Sequence, residues 1–343
     1  MYVRHQYFAV LFTALLLSGS SLAFSQCQSQ VGSYLTGGWA RGVAASGSYA
    51  YVAASADGLR IIDVLDPSSP TETGFYNPAG SNSQGVEVRD GLVYLADNSS
   101  GLRIISAANP AAPTLVGSYN MTGLALDVAL SGNYAYVAAD TEGLVVLNVA
   151  NPASPTFVGS IDLDGDVSDV VVAGSYAYVA AETDFFHVID ISDPSNPQDV
   201  GYLVTPGYAF GVAVEGDRVL VADNDRGLRV VDVSTASAPV GLGYWHPASP
   251  ATHCNAVSND ARFAYVADGS NGMRVIDVTD SANPVDVGVV DTDGIALDIA
   301  VDGRYAYVAD RDKGLKVFDL ASCRLFIDSF ESGDTSRWDS TVQ

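Results

Sequence analysis

The stretch from Ser131 to Pro155 sets the pattern for the chain. Tyrosines and branched residues alternate through Tyr134–Ala138, an acidic Gly turn follows, and a second apolar run from Leu144 ends at Asn151-Pro152 and Pro155. Close copies recur about every 42 residues, the spacing of a four-stranded propeller blade. Aligned on the second strand, the copies place Tyr51, Tyr94, Tyr136, Tyr178, Leu220, Tyr265 and Tyr307 at one position, with one longer step before Tyr265. Gly58, Gly101, Gly143, Phe185, Gly227, Gly272 and Gly314 open the next strand.

Each copy reads as four short strands. In the third they are Leu126 to Leu130, Tyr134 to Ala138, Leu144 to Val149 and Phe157 to Ile161. The middle two are apolar on both faces, whereas a sheet with one wet face alternates. Blades stacked around an axis cover both faces, so the pattern predicts an all-β, seven-bladed propeller of four-stranded antiparallel blades. Asx-Pro pairs such as Asp66-Pro67 and Asn151-Pro152 supply turns. Pro70, Pro113 and Pro155 precede strand four, which tolerates proline as the outer edge. Glycine before strand three fits a turn of positive φ, so Phe185 predicts a different turn in blade four.

The copies are circularly offset. The last lacks a fourth strand, and Val31-Gly32-Ser33-Tyr34 matches Val116-Gly117-Ser118-Tyr119. The N-terminal strand is therefore expected to complete blade seven. That pairing brings Cys27 beside Cys323 and predicts a disulfide between them, with two free thiols as the alternative. The chain divides into a signal peptide (1–25), the propeller (26–323) and a C-terminal tail (324–343). Arg4 and His5, the apolar run Tyr7 to Leu17 and the small residues before Gln26 carry the export reading. The run is too short for a permanent anchor, and no other segment is apolar enough to span a membrane as a helix.

Composition narrows the partners. Of 343 residues 48% are hydrophobic, enough for a substantial core, and 40 acidic residues face 16 basic ones, a net charge of −24. That field repels phosphate backbones and excludes nucleic acid as a partner. The chain is expected to be monomeric.

Gly-Leu-Arg-Ile-Ile-Asp at Gly58 to Asp63, Gly-Leu-Arg-Val-Val-Asp at Gly227 to Asp232, and Tyr-Val-Ala-Asp at Tyr307 to Asp310 resemble the LVIVD-repeat family, over roughly residues 31 to 321. The resemblance implies an exported or surface-associated β-propeller and no general enzymatic activity. Phe326 to Trp338 resembles a short C-terminal tail of many exported bacterial proteins.

Loops between blades and between strands two and three gather on one face, and two sectors of it carry candidate chemistry. One is acidic, with Asp140, Glu142, Asp162, Asp164, Asp166, Asp169, Glu182 and Asp184. Alternate carboxylates at Asp162, Asp164 and Asp166, with Asp169, suggest Ca2+, although the twelve-residue loop with a terminal Glu is absent; a solvated acidic rim is the alternative. The other sector is aromatic: Tyr208 and Phe210, then Trp245, His246 and His253 beside Cys254, and Trp39 before blade one. Exposed aromatics beside polar groups suit a sugar or a peptide side chain; the alternative is packing between blades. The two histidines lack zinc-site spacing, and Cys254 lacks a recognisable triad. His187 reads as structural. Asp127, Asp169 and Asp298 open strand one of their blades, where they either ring the channel mouth for cations or bond backbone at the strand start. The expected function is a non-catalytic scaffold for a protein, peptide or glycan. A metal-dependent hydrolase or lyase at the channel mouth is the rival, and a purely structural envelope component, without a defined pocket, is a third reading.

Overall fold

The computed structural model describes residues 29–163, 165–182, 185–246, 254–260 and 262–321. Their strands form seven four-stranded antiparallel sheets, each hydrogen-bonded in chain order except the one that joins the two ends. Blade three shows the pattern: Asp127–Ser131, Tyr134–Ala138, Leu144–Asn148 and Thr156–Ile161, running from the axis outward. Val137 pairs with Val128 on one side and Val145 on the other.

The core lies between blades. Tyr136, Leu144 and Val146 of blade three pack on Val167, Val170 and Val179 of blade four. Their strand neighbours Val137, Val145 and Leu147 turn the other way, onto Tyr94, Leu102 and Ile104 of blade two. Side chains alternate across a strand, so one strand feeds two interfaces, and both its faces must be apolar. This is the physical reason for the unbroken apolar runs in the sequence.

Closure follows the expected route. Ser29–Tyr34 pairs antiparallel with Leu315–Asp319, from Ser29↔Asp319 to Tyr34↔Leu315, as the fourth strand of blade seven. Val43, Val52 and Ile62 of blade one pack on Tyr307, Leu315 and Val317 of blade seven, so the seam has the same apolar core as the others. Cys27 and Cys323 lie outside the described residues, as do the signal peptide and the tail.

The hairpin between strands two and three is nearly identical in six blades. Gly143 takes φ of 73°, and the N–H of Ala139 donates to its carbonyl at 2.9 Å. Its counterpart in blade four is Phe185, and there the strand ladder itself runs on to Ala181↔Phe185.

Candidate functional site

Strand four of one blade connects to strand one of the next on the same face that carries the strand two–three hairpins, because alternate turns of an antiparallel sheet share an end. On this face each hairpin holds the following connection. Asp140 and Val167 exchange backbone hydrogen bonds at 3.1 and 3.0 Å, and like bridges join Ser55 to Ser83, Asn98 to Ala125, Asn224 to Cys254, Gly269 to Ala296 and Arg311 to Ala40. Among the described residues the blade four–five seam has no such bridge; the Ser168 hydroxyl donates to the Phe210 carbonyl instead, at 3.1 Å.

Strand one of every blade lines an axial cavity of about 450 Å3. The cavity holds Glu87, Asp127, Asp169 and Asp298, and no basic side chain lines it. Inner-edge strands leave backbone N–H groups unpaired, and the aspartates satisfy them across the seams. Val43 N–H donates to Asp298 Oδ2 at 2.7 Å, Val212 N–H to Asp169 Oδ2 at 2.7 Å, and Val170 N–H to Asp127 Oδ2 at 3.4 Å. Of the two roles the sequence left open for these aspartates, the structure shows backbone bonding at the strand start.

The carboxyls pay for this position in proton affinity. Burial holds the Asp298 proton up to about 6. Burial, helped by the Asp127 charge, lifts Glu87 to about 7. Asp127 and Asp169 share a hydrogen bond; burial and the neighbouring carboxylate push Asp169 well above the carboxylate range. One proton between two carboxyls is the expected state of such a pair.

The aromatic sector divides. Trp39 is 44% exposed on the loop-rich face, with Arg311 at 4.1 Å and Arg41 at 5.8 Å from its ring centre. Tyr208, 51% exposed, stacks on Phe210 with ring centres 6.4 Å apart. Trp245 takes the packing alternative that the sequence left open rather than exposure. It ends strand four of blade five, paired with Leu228, and is 8% exposed with Arg274 over its face. His246 follows it at the surface, and His253 lies outside the described residues.

In the acidic sector, Asp162 and Asp166 flank the connection from blade three to four, and Asp164 lies outside the described residues. Asp166 and Asp140 raise the proton affinity of Glu182, after burial, so these three share one neighbourhood. Asp169 stands apart from that loop, committed to the channel wall. Among the described residues no three His, Cys, Asp or Glu side chains converge as a metal-binding group. Cys254 is wholly buried, and burial with Asp268 raises its thiol far above the ordinary range, the reverse of an activated nucleophile. His187 is buried with Nδ1 3.0 Å from Asp199, beside Phe185 and Tyr202.

A set of buried ion pairs escaped the sequence reading. Asp97, Asp223 and Asp268, each fully buried, meet Arg103, Arg229 and Arg274 at 2.5, 2.5 and 2.8 Å. Asp97 also accepts from Ser81 Oγ and Asn82 N–H, both at 2.8 Å, and so fixes the connection entering its blade. In blade three the same positions hold Ala139 and Val145. Blade one keeps the base, Arg60, with Ala54 at the acid position, and there the arginine turns to Glu72 at 3.3 Å instead.

The LVIVD repeat family matches the chain at residues 37–78, 80–121, 122–163, 164–205, 206–244, 256–292 and 293–322. Among solved structures, that of the computationally designed Ika8 protein is similar, with a TM-score of 0.63 and 11% identity over 84% of this chain and 98% of that one. At that identity the likeness concerns the fold alone. No curated protein matches the sequence.

Proposed function

Since the chain belongs to the LVIVD-repeat family, we propose that it is an exported, non-catalytic interaction scaffold that binds a protein, peptide or glycan on its loop-rich face. The observation that carries this reading is the pair of exposed aromatic sites, Trp39 and Tyr208, on one face at blades one and five. Rigid aromatic rings are effective contact surfaces because they bury area at little entropic cost. The channel aspartates are meanwhile engaged by backbone N–H groups. No described helix is long and apolar enough to cross a membrane.

Glycan and peptide arrays probed with the purified protein test the reading. Binding should fall in Trp39→Ala or Tyr208→Ala and survive Tyr244→Ala, which alters an exposed ring on the outer strand of blade five. Loss with Tyr244→Ala alone would overturn it. Calcium in the Asp162–Asp166 loop is a separate arm of the proposal, tested by calorimetry with Ca2+. The proton-sharing Asp127–Asp169 pair favours one second reading, a hydrolase or lyase at the channel mouth; turnover of model glycosides or esters that Asp169→Asn and Glu87→Gln each abolish, with the melting temperature not lowered, would establish it.

A further inference from the structure

In a chain with 40 acidic residues, Arg41 and Arg311 converge on one indole ring. Neither has a side-chain hydrogen bond or ion pair among the described residues, and Arg41 Nε is buried without a partner. Burial first, and the positive charge of Arg311 second, lower the proton affinity of Arg41. Other described arginines meet acids: Arg60, Arg103, Arg218, Arg229, Arg274 and Arg304 are examples, and Arg89 acts on Glu87. A partly buried, unpaired guanidinium is costly, and a second beside it adds repulsion.

The fold does not ask for either arginine. At the place of Arg41 the other blades carry Gln84, Leu126, Ser168, Phe210, Asn255 and Leu297. Of these, Gln84, Ser168 and Asn255 spend their polar groups on nearby backbone carbonyls. Arg311 stands where the other bridges have Ser55, Asn98, Asp140, Asn224 and Gly269, all in the left-handed region. Asn, Asp and Gly tolerate that conformation; an arginine at φ of 41° is strained. Strain, repulsion and an unsatisfied buried donor thus accumulate around one exposed indole, the pattern expected of a binding site waiting for its counter-charge.

We propose that the seam between blades seven and one binds a single carboxylate carried on an otherwise neutral sugar, a uronate residue, with Arg41 and Arg311 holding the carboxylate and Trp39 supplying the flat contact. The proposal rests on the loop-face reading and names the chemistry of one part of that face. Planar guanidinium donors match a carboxylate, and the exposed indole offers an apolar surface to the ring that bears it. The net charge of −24 disfavours polyanions, because long-range repulsion grows with every added negative charge while the local site rewards one.

Calorimetry of the purified protein with methyl glucuronide and methyl glucoside tests this. The glucuronide should bind more tightly, and Arg41→Gln or Arg311→Asn should each weaken it about tenfold to a hundredfold, the range for a charged hydrogen bond, without changing the glucoside. Both replacements borrow residues from other blades (Gln84, Asn98 and Asn224), so each should fold, with an unchanged or raised melting temperature. Equal affinity for the two sugars, or glucuronide binding unaffected in both variants, overturns the proposal. Preference for a short neutral peptide with a free C-terminal carboxylate over the glucuronide overturns the sugar assignment. In either case array binding that depends on Tyr208 leaves the loop-face reading standing; failure of that reading appears there, and not in this titration.

Discussion

Replacing Glu87 with Gln should stabilise the protein at pH 8 and leave it nearly unchanged at pH 4. Glu87 sits on strand one of blade two and faces the axial cavity, where burial first and the Asp127 charge second raise its proton affinity to about 7, against 4.5 for an ordinary glutamate. The Val88 N–H and Arg89 act in the opposite direction and do not cancel the rise. Between pH 4.5 and 7 the folded protein therefore carries a proton that the unfolded chain has released. Stability must fall as pH rises through that window and level off above it. The full shift corresponds to about 3 kcal/mol at 1.36 kcal/mol per unit. The cavity admits water, which screens part of this, so about 2 kcal/mol is the expected gain for Glu87→Gln at pH 8.

Gln resembles the protonated side chain in size and polarity, so at pH 4, below both proton affinities, variant and wild type should unfold at nearly the same urea concentration. At pH 8 the variant's midpoint should lie higher, with the slope of the transition unchanged. A midpoint shift of equal size at both pH values, or a loss of stability at pH 8, would refute the argument, because either would show that the side chain acts through packing rather than through its charge. Asp298, held up to about 6 by burial, and the Asp127–Asp169 pair pull in the same direction. The wild-type protein should accordingly be more stable near pH 5 than near pH 8.

Asp97→Ala should cost about 3–5 kcal/mol by stranding Arg103, and the double change with Arg103→Val, which copies Ala139 and Val145 of blade three, should recover more than half of it in urea titrations. Cys254 should resist thiol reagents in the native state and react once the protein is unfolded, as read by mass spectrometry of its peptide; rapid native labelling would contradict its burial.

The ring was legible because it is periodic. Seven copies of one strand pattern fixed the blade, and the half-copy at Val31 to Tyr34 announced the seam that the Tyr34↔Leu315 pairing completes. The site was legible only in part. Trp245 looked like a loop residue, yet Gly243-Tyr244-Trp245 aligns with Gly32-Ser33-Tyr34, and the structure pairs Trp245 with Leu228 as it pairs Tyr34 with Leu315. The alignment already used for closure would have buried it. The Asp–Arg pairs were only partly legible: blade three lacks both members at Ala139 and Val145, but blade one keeps Arg60 opposite Ala54, so the arginine alone does not announce a buried acid. No local pattern could reveal the meeting of Arg41 and Arg311, because they lie near opposite ends of the chain and only ring closure brings them to the same indole.

The repeat also separates carboxylates that the architecture uses from one that it does not. Asp127, Asp169 and Asp298 share a position with Gly42, Gly85, Gly211 and Ala256. Where glycine stands, the next blade occupies the space: a Cβ on Gly42 would lie 2.4 Å from the Gln84 carbonyl, and one on Gly85 would lie 2.5 Å from Asp127 Oδ1. Where aspartate stands, its carboxylate fills that space and takes the backbone N–H of the next strand. These are two solutions to one packing problem, and they explain the aspartates without chemistry. Glu87 solves nothing of the kind. The other blades carry Ala44, Ala129, Val171, Ala213, Ser258 and Ala300 in its place, and its charge opposes folding at neutral pH. Among the channel carboxylates Glu87 is therefore the one whose presence calls for a role beyond the fold. Any search for turnover or cation binding in the channel should begin with its substitution, because an effect of Asp169→Asn alone would not separate chemistry from a loosened seam.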